Sequence, residues 1–106
     1  MNYGFVKVAA AIPELKVADC HYNASRLVEM AKDANKRNVS VVVFPELSFT
    51  GYTCADLFFQ QQLLQDAQAA LVNFLDQTKG LNVVTITGMP FFAENKLFNV
   101  AIVAHK

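Results

Sequence analysis

Neither sign of charge is in excess in this sequence: nine lysines and arginines balance nine aspartates and glutamates over 106 residues. The charges are also dispersed, with no basic or acidic block. Nothing here would draw nucleic acid or an anionic membrane surface by long-range attraction. Cysteine is scarce. Cys20 and Cys54 stand far apart and form no Cys-x-x-Cys pair. This usage favours a reducing compartment and two thiols, while leaving a single disulfide open. His21 and His105 add only two more potential zinc donors, at no ligand spacing, so no metal site is expected. A long apolar run is missing as well. The stretch from Phe5 to Ile12 is interrupted by Lys7 and closed by Pro13 and Glu14, too short for a signal or a membrane span. No positive region precedes it, and a cytoplasmic protein is the default reading.

What the sequence has in quantity is apolar surface. Hydrophobic residues make up 54% of the chain and charged residues only 17%. That balance is rich for a free-standing domain of this length. It suits elements buried on both faces, or a chain that meets further partner surface. The length allows one domain at most.

Periodicity then orders the chain. Phe5 to Ile12 reads as a buried first strand stopped by Pro13. Asp19 can cap a helix to about Arg37, in which Ala24, Leu27, Val28, Ala31 and Ala34 form one apolar stripe. Asp33 and Arg37 are spaced for an ion pair, and Asn38 suits a left-handed residue after the helix. Val39 to Phe44 is a β-branched apolar run, typical of a strand covered on both faces, and Pro45 ends it. Strand, helix, strand in this order predicts a parallel βαβ unit. A second helix is expected over roughly 55–78, with Leu64, Ala67, Leu71, Phe74 and Leu75 as its buried face, Gly80 as its stop and Asp56 as its cap. Asn82 to Thr87 reads as a third strand ending at Gly88. A turn at Glu94 to Lys96 leads to a fourth, Leu97 to His105, paired antiparallel with the third. An open α/β sheet with only two helices leaves strand surface uncovered, so the chain is expected to be part of a larger domain.

One residue stands out chemically. In α/β sheets ligands bind beyond the carboxyl ends of strands, and Glu46 follows such an end directly. The apolar run before it predicts a carboxylate only partly in contact with water, a setting suited to accepting and returning protons. Pro45 restricts the backbone ahead of Glu46, and Gly51 lets the following loop turn tightly. Position alone also fits a solvated loop glutamate.

The whole string FPELSFTGY, Phe44 to Tyr52, resembles the glutamate motif of the nitrilase, or carbon-nitrogen hydrolase, superfamily. The opening FVKVAAAIPEL, Asn23 near the start of its helix, the strand VSVVVFPE, the strand-turn VVTITGMP and the later LFNVAIVAHK follow that family's amino-terminal order over nearly the full chain. Within the superfamily, GYTCADLFFQ is most similar to the glutaminase domain of glutamine-dependent NAD synthetases. The resemblance implies an α/β fold, the amino-terminal β-α-β-α-β-β portion of a nitrilase-like αββα sandwich. It also implies a Glu-Lys-Cys triad that hydrolyses the glutamine amide. Glu46 matches the general base of that triad, and Tyr52 would help shape the glutamine pocket.

The lysine and cysteine are expected beyond residue 106. The family's lysine follows a further turn and strand, so Lys106 arrives too early, and Cys54 does not stand at the nucleophile's place. The resemblance implies no cofactor for the amide chemistry. ATP and magnesium would serve a separate synthetase domain, where the released ammonia amidates deamido-NAD. The implied partners are glutamine, the rest of the same polypeptide and further copies in a homo-oligomer. The 106 residues alone are expected to be inactive. Two alternatives fit the same residues: another carbon-nitrogen hydrolase (an omega-amidase, carbamoylase or nitrilase), or a non-catalytic α/β binding module.

Overall fold

The computed structural model describes residues 6–17, 19–51, 61–94 and 96–105. Its elements run β1 (Val8–Ala10), α1 (Cys20–Lys36), β2 (Val41–Val43), α2 (Gln61–Gln77), β3 (Val84–Ala93) and β4 (Lys96–Ala104). They form one four-stranded sheet in the order β1-β2-β3-β4. β1 pairs parallel with β2 and β2 parallel with β3, while β3 and β4 run antiparallel. The β-α-β-α-β-β succession and the parallel unit are those expected from the sequence.

Local chemistry explains α1 at both ends. Asp19 accepts a bond of 3.1 Å from the Tyr22 amide, satisfying one of the donors left over in the first turn. At the other end Asn38 takes φ 60°, the left-handed conformation that asparagine tolerates. The Val39 amide bonds back to the Ala34 carbonyl at 3.1 Å, and the Asn38 amide to that of Asn35 at 3.2 Å. This pair of bonds is a Schellman closure. Asn35 also receives the Asn82 and Val83 amides on its side-chain oxygen, so the end of α1 guides the chain into β3. The predicted stripe of Ala24, Leu27, Val28, Ala31 and Ala34 is buried throughout. Arg37 and Asp33 pair at 3.1 Å on the surface, where such a contact contributes little.

Three readings need correction. The face of α2 that is buried is Leu63, Ala67, Ala70 and Phe74, whereas Leu75 is 40% exposed. Periodicity sets the angle between side chains but not which of two adjacent leucines is centred on the core. Here Phe74 is turned to meet Phe49 edge-on, with ring centroids 5.7 Å apart, and that sets the rotation of α2. Residues 55–60 of the predicted helix, including the predicted cap Asp56, lie outside the described residues.

β3 does not end at Gly88 but continues to Ala93, through Pro90. A proline normally interrupts a strand because it has no amide hydrogen to give. The Val84 amide bonds to the Ser40 carbonyl, on the β2 side, so the amides of residues 86, 88 and 90 point to that side as well. Pro90 therefore lacks its donor where β4 does not need one.

The third correction concerns cover. β1 was expected to be buried and β2 to be covered on both faces, yet Val8 and Ala10 of β1 are exposed, and in β2 Val42 is 1% exposed while Val43 is 41% exposed. Both described helices lie on one side. That side holds Val42, Thr85, Thr87 and Met89 against the α1 and α2 stripes. The opposite side carries Val8, Val43 and Val103, with Val8 64% and Val103 67% exposed. β1 and β2 are also shorter than predicted, but the Ala11 amide still bonds to the Val43 carbonyl and the Phe44 amide to that of Ile86, both at 2.9 Å. The differences lie at strand ends. Among the described residues no helix is long and apolar enough to cross a membrane.

Candidate active site

Beyond the last β2–β3 bond the chain leaves the ladder at Pro45 and turns over the sheet. The turn is tight because Leu47 adopts φ 52°, a left-handed conformation uncommon for a branched side chain and costing about 1–3 kcal/mol. Its carbonyl accepts the amides of Thr50 at 3.1 Å and Gly51 at 2.8 Å, closing the loop on itself. Gly51, at φ 87°, completes the turn. The role expected of this glycine holds.

Gly88 receives the loop. A Cβ on Gly88 would lie 2.7 Å from the Leu47 nitrogen and 3.4 Å from the Glu46 carbonyl carbon. The Glu46–Leu47 peptide thus crosses β3 where any other residue would hold a side chain. The Gly88 amide donates to the Ser48 hydroxyl at 3.0 Å, and the Gly88 carbonyl accepts the Phe49 amide at 3.1 Å. Both backbone groups of the glycine are therefore used by the loop that carries Glu46. Gly88→Ala is expected to cost about 1–3 kcal/mol through overpacking against backbone. A lowered denaturant midpoint of the whole protein checks this, and an unchanged midpoint would contradict the close approach.

A buried asparagine anchors the other side of the loop. Asn23, 0% exposed, donates to the carbonyls of Lys16 at 2.8 Å and Phe49 at 2.9 Å, and accepts the Lys16 amide at 2.8 Å. One side chain on α1 thereby joins the segment before the helix to the catalytic-candidate loop. Such a bonded buried amide is costly to disrupt, because its partners would be left without replacement. Phe49 itself is fully buried against Phe74.

Glu46 projects from this anchored loop on the sheet face away from the helices. Its Oε1 accepts a hydrogen bond from the Asn99 side-chain amide of β4. Strand alternation explains the meeting. Gly88 is opposite Ala101 and Pro90 is opposite Asn99, so all four point to the face over which the loop passes. Glu46, Asn99, Pro45, Val43, Ile86 and Ala101 line an open hollow of about 270 Å³. Glu46 is its one charged lining residue among the described residues. The expectation of a partly shielded carboxylate is not met, since Glu46 is exposed. The apolar run before it buries Phe44 on the helix side, but nothing described covers the face on which Glu46 emerges.

Of the residues singled out from sequence, Glu46 lies at the carboxyl end of β2 as expected, whereas Tyr52 and Cys54 fall outside the described residues. Sequence reasoning did not find Asn99, Ser48 or the task of Gly88. A glycine inside a strand pattern signals a close backbone approach, and that signal was available. Asn99 carried none, because an asparagine on an exposed strand position is usually only a polar surface residue.

Residues 7–106 match the carbon-nitrogen hydrolase family. The glutamine-dependent NAD(+) synthetase of Mycobacterium tuberculosis is 31% identical over 105 residues, covering 99% of this chain and 16% of the relative. That of Xylella fastidiosa is 31% identical over 100 residues, covering 93% of this chain and 18% of the relative. The chain thus spans about a sixth of the length of these relatives. Among solved structures, a glutamine-dependent NAD(+) synthetase from Cytophaga hutchinsonii superposes with a TM-score of 0.86 at 20% identity, covering 94% of this chain and 17% of that one. An amidase from Nesterenkonia superposes with a TM-score of 0.74 at 16% identity, over 94% of this chain and 38% of the amidase. These two likenesses concern the fold. Because the family match runs almost from end to end, through the Glu46 loop and the strands that hold it, this chain belongs to the carbon-nitrogen hydrolase family.

Proposed function

We propose that this chain is the opening part of a glutaminase domain, and that Glu46 is the general base of a Glu-Lys-Cys triad whose lysine and cysteine lie beyond residue 106. The observation that carries the reading is the presentation of Glu46 at the end of a parallel strand, on a backbone held from both sides. Its support in kinship is the pair of relatives, each named a glutamine-dependent NAD(+) synthetase and each 31% identical.

In this reaction the thiol loses its proton to Glu46 and the thiolate attacks the side-chain amide carbon of glutamine. The lysine stabilises the negative oxygen of the tetrahedral intermediate. Glu46 returns the proton to the departing ammonia, leaving a thioester. It then takes a proton from water as the water attacks the thioester, and returns that proton to the leaving thiolate, releasing glutamate and restoring the thiol. Tyr52 is proposed to line the glutamine pocket. A carboxylate serves all these transfers only if it stays in one place while partners change. The bonds around Gly88 and Asn23 meet that need on the backbone side.

The ammonia passes to a synthetase domain of the same polypeptide, which amidates deamido-NAD to NAD. ATP and magnesium act there; no residue of this chain is assigned to hold them. The setting we propose is cytoplasmic, with the domain in a homo-oligomer. The 106 residues alone turn over no glutamine.

Ammonia release from L-glutamine by the whole protein, measured with and without deamido-NAD and ATP, tests the reading. Release coupled to NAD formation is the expected result. Hydrolysis of other amides, nitriles or carbamoyl compounds with glutamine left untouched would overturn the glutaminase assignment and favour another member of the family.

A further inference from the structure

We propose that Asn99 is a positioning residue for the Glu46 carboxylate, an inference that rests on the general-base reading above. The two residues lie 53 positions apart, and the Asn99 Nδ2 donates to Oε1 of Glu46. The loop brings the glutamate backbone over Gly88, and the β3–β4 register brings Asn99 beside it on the same face. Among the described residues no other side chain bonds to Glu46. The neighbouring lining from β2, β3 and the rest of β4 is apolar apart from Thr87, which is buried on the helix side of the sheet, so among the described residues Asn99 is the side chain placed to select a carboxylate rotamer.

The consequence is a division of labour between the two carboxylate oxygens. Oε1 is engaged by an uncharged donor that neither titrates nor takes the proton being transferred. Oε2 then faces the hollow as the oxygen that exchanges protons. A glutamate side chain has several rotatable bonds, and on an exposed face it would otherwise sample many orientations. An amide donor from a strand paired over nine registers removes that freedom without adding charge. A lysine in its place would also hold the carboxylate, but it would compete as an ion-pair partner for the negative form.

The test is a mutant cycle in the whole protein, read as kcat and KM for glutamine. Asn99→Ala is expected to lower kcat about tenfold to a hundredfold, as for a misplaced reacting group, with KM within about twofold of the parent. Glu46→Asp retracts the carboxylate by one methylene, out of reach of Asn99. In that background Asn99→Ala should therefore cost less than about twofold. The near-isosteric Asn99→Asp removes the donor while keeping the volume, and should lose at least as much kcat as Asn99→Ala. It serves as the second variant if alanine disturbs β4, with hydrogen-exchange protection of β3 and β4 showing whether the strand pair is intact.

Equal losses from Asn99→Ala in both backgrounds would overturn the inference, since Asn99 would then act independently of Glu46. So would a loss confined to KM. Either of those results would leave the general-base reading standing if Glu46→Asp and Glu46→Gln are themselves impaired. Full activity in Glu46→Gln would instead overturn both.

Discussion

Glu46→Gln in the whole protein is expected to lower glutamine turnover by roughly a hundred- to ten-thousand-fold, the usual range for removing a positioned proton-transfer group. The substitution keeps the side chain's length and shape and removes only its ability to take a proton. Oε1 of the glutamine amide can still accept from Asn99, so that contact is not forfeited. Glu46 is exposed, and no salt bridge among the described residues involves it. Its replacement should therefore change stability by less than about 0.5 kcal/mol. Rate and stability separate cleanly in this variant. A mutant that binds glutamine, unfolds like the parent and turns over slowly is the expected outcome. Turnover within a few-fold of the parent would remove Glu46 from the role of base.

The second large effect is expected at Phe49, and there stability falls first. Its ring is fully buried and meets Phe74 at 82°, edge to face. Phe49→Ala should cost about 3–5 kcal/mol, from lost transfer energy and from the cavity left between the loop and α2. The same residue gives its amide to Gly88 and its carbonyl to Asn23, so the ring acts as a peg that holds both backbone bonds in register. Amide protection of α1 and α2 in hydrogen exchange should fall with it, and glutamine turnover should fall too. Phe49→Leu keeps most of the volume and is expected to cost less, about 1.5 kcal/mol or under. If Phe49→Ala unfolded at the parent's midpoint, the loop would not be part of the core as described.

Glu46→Gln and Phe49→Ala together probe one arrangement: a strained, exposed end of a strand made rigid from beneath. Leu47 in a left-handed conformation is unfavourable by itself. It persists because Gly88 leaves room above β3, because Ser48 and Phe49 bond to that glycine, and because Asn23 holds the carbonyl that follows. Each is a separate contact, yet all fix the same few residues.

Much of this was legible in the sequence. The α1 stripe, its Asp19 cap and Asn38 closure depend on neighbours within a few residues, where helical geometry leaves little choice. The parallel βαβ unit follows from element order, because a helical crossover between adjacent strands returns the chain in the same direction. The motif around Glu46 pointed to the family that residues 7–106 match. The rotation of α2 and the length of β3 were not legible. The first is decided by the Phe49–Phe74 contact, and the second by which neighbour Pro90 turns its nitrogen toward.

By itself, then, the sequence determined the order of the helices and strands, which way they run and which carboxylate ends β2, since these depend on local spacing and on motif. Only the tertiary structure decided that the Glu46–Leu47 peptide rests on Gly88 and that its carboxylate meets Asn99. Asn99 is 53 residues from Glu46 in the chain and Gly88 lies on another strand, so both meet the loop only through the register of β2, β3 and β4. Register is a property of paired strands. A shift of one residue would turn Asn99 to the opposite face, and no single segment contains the information that prevents it.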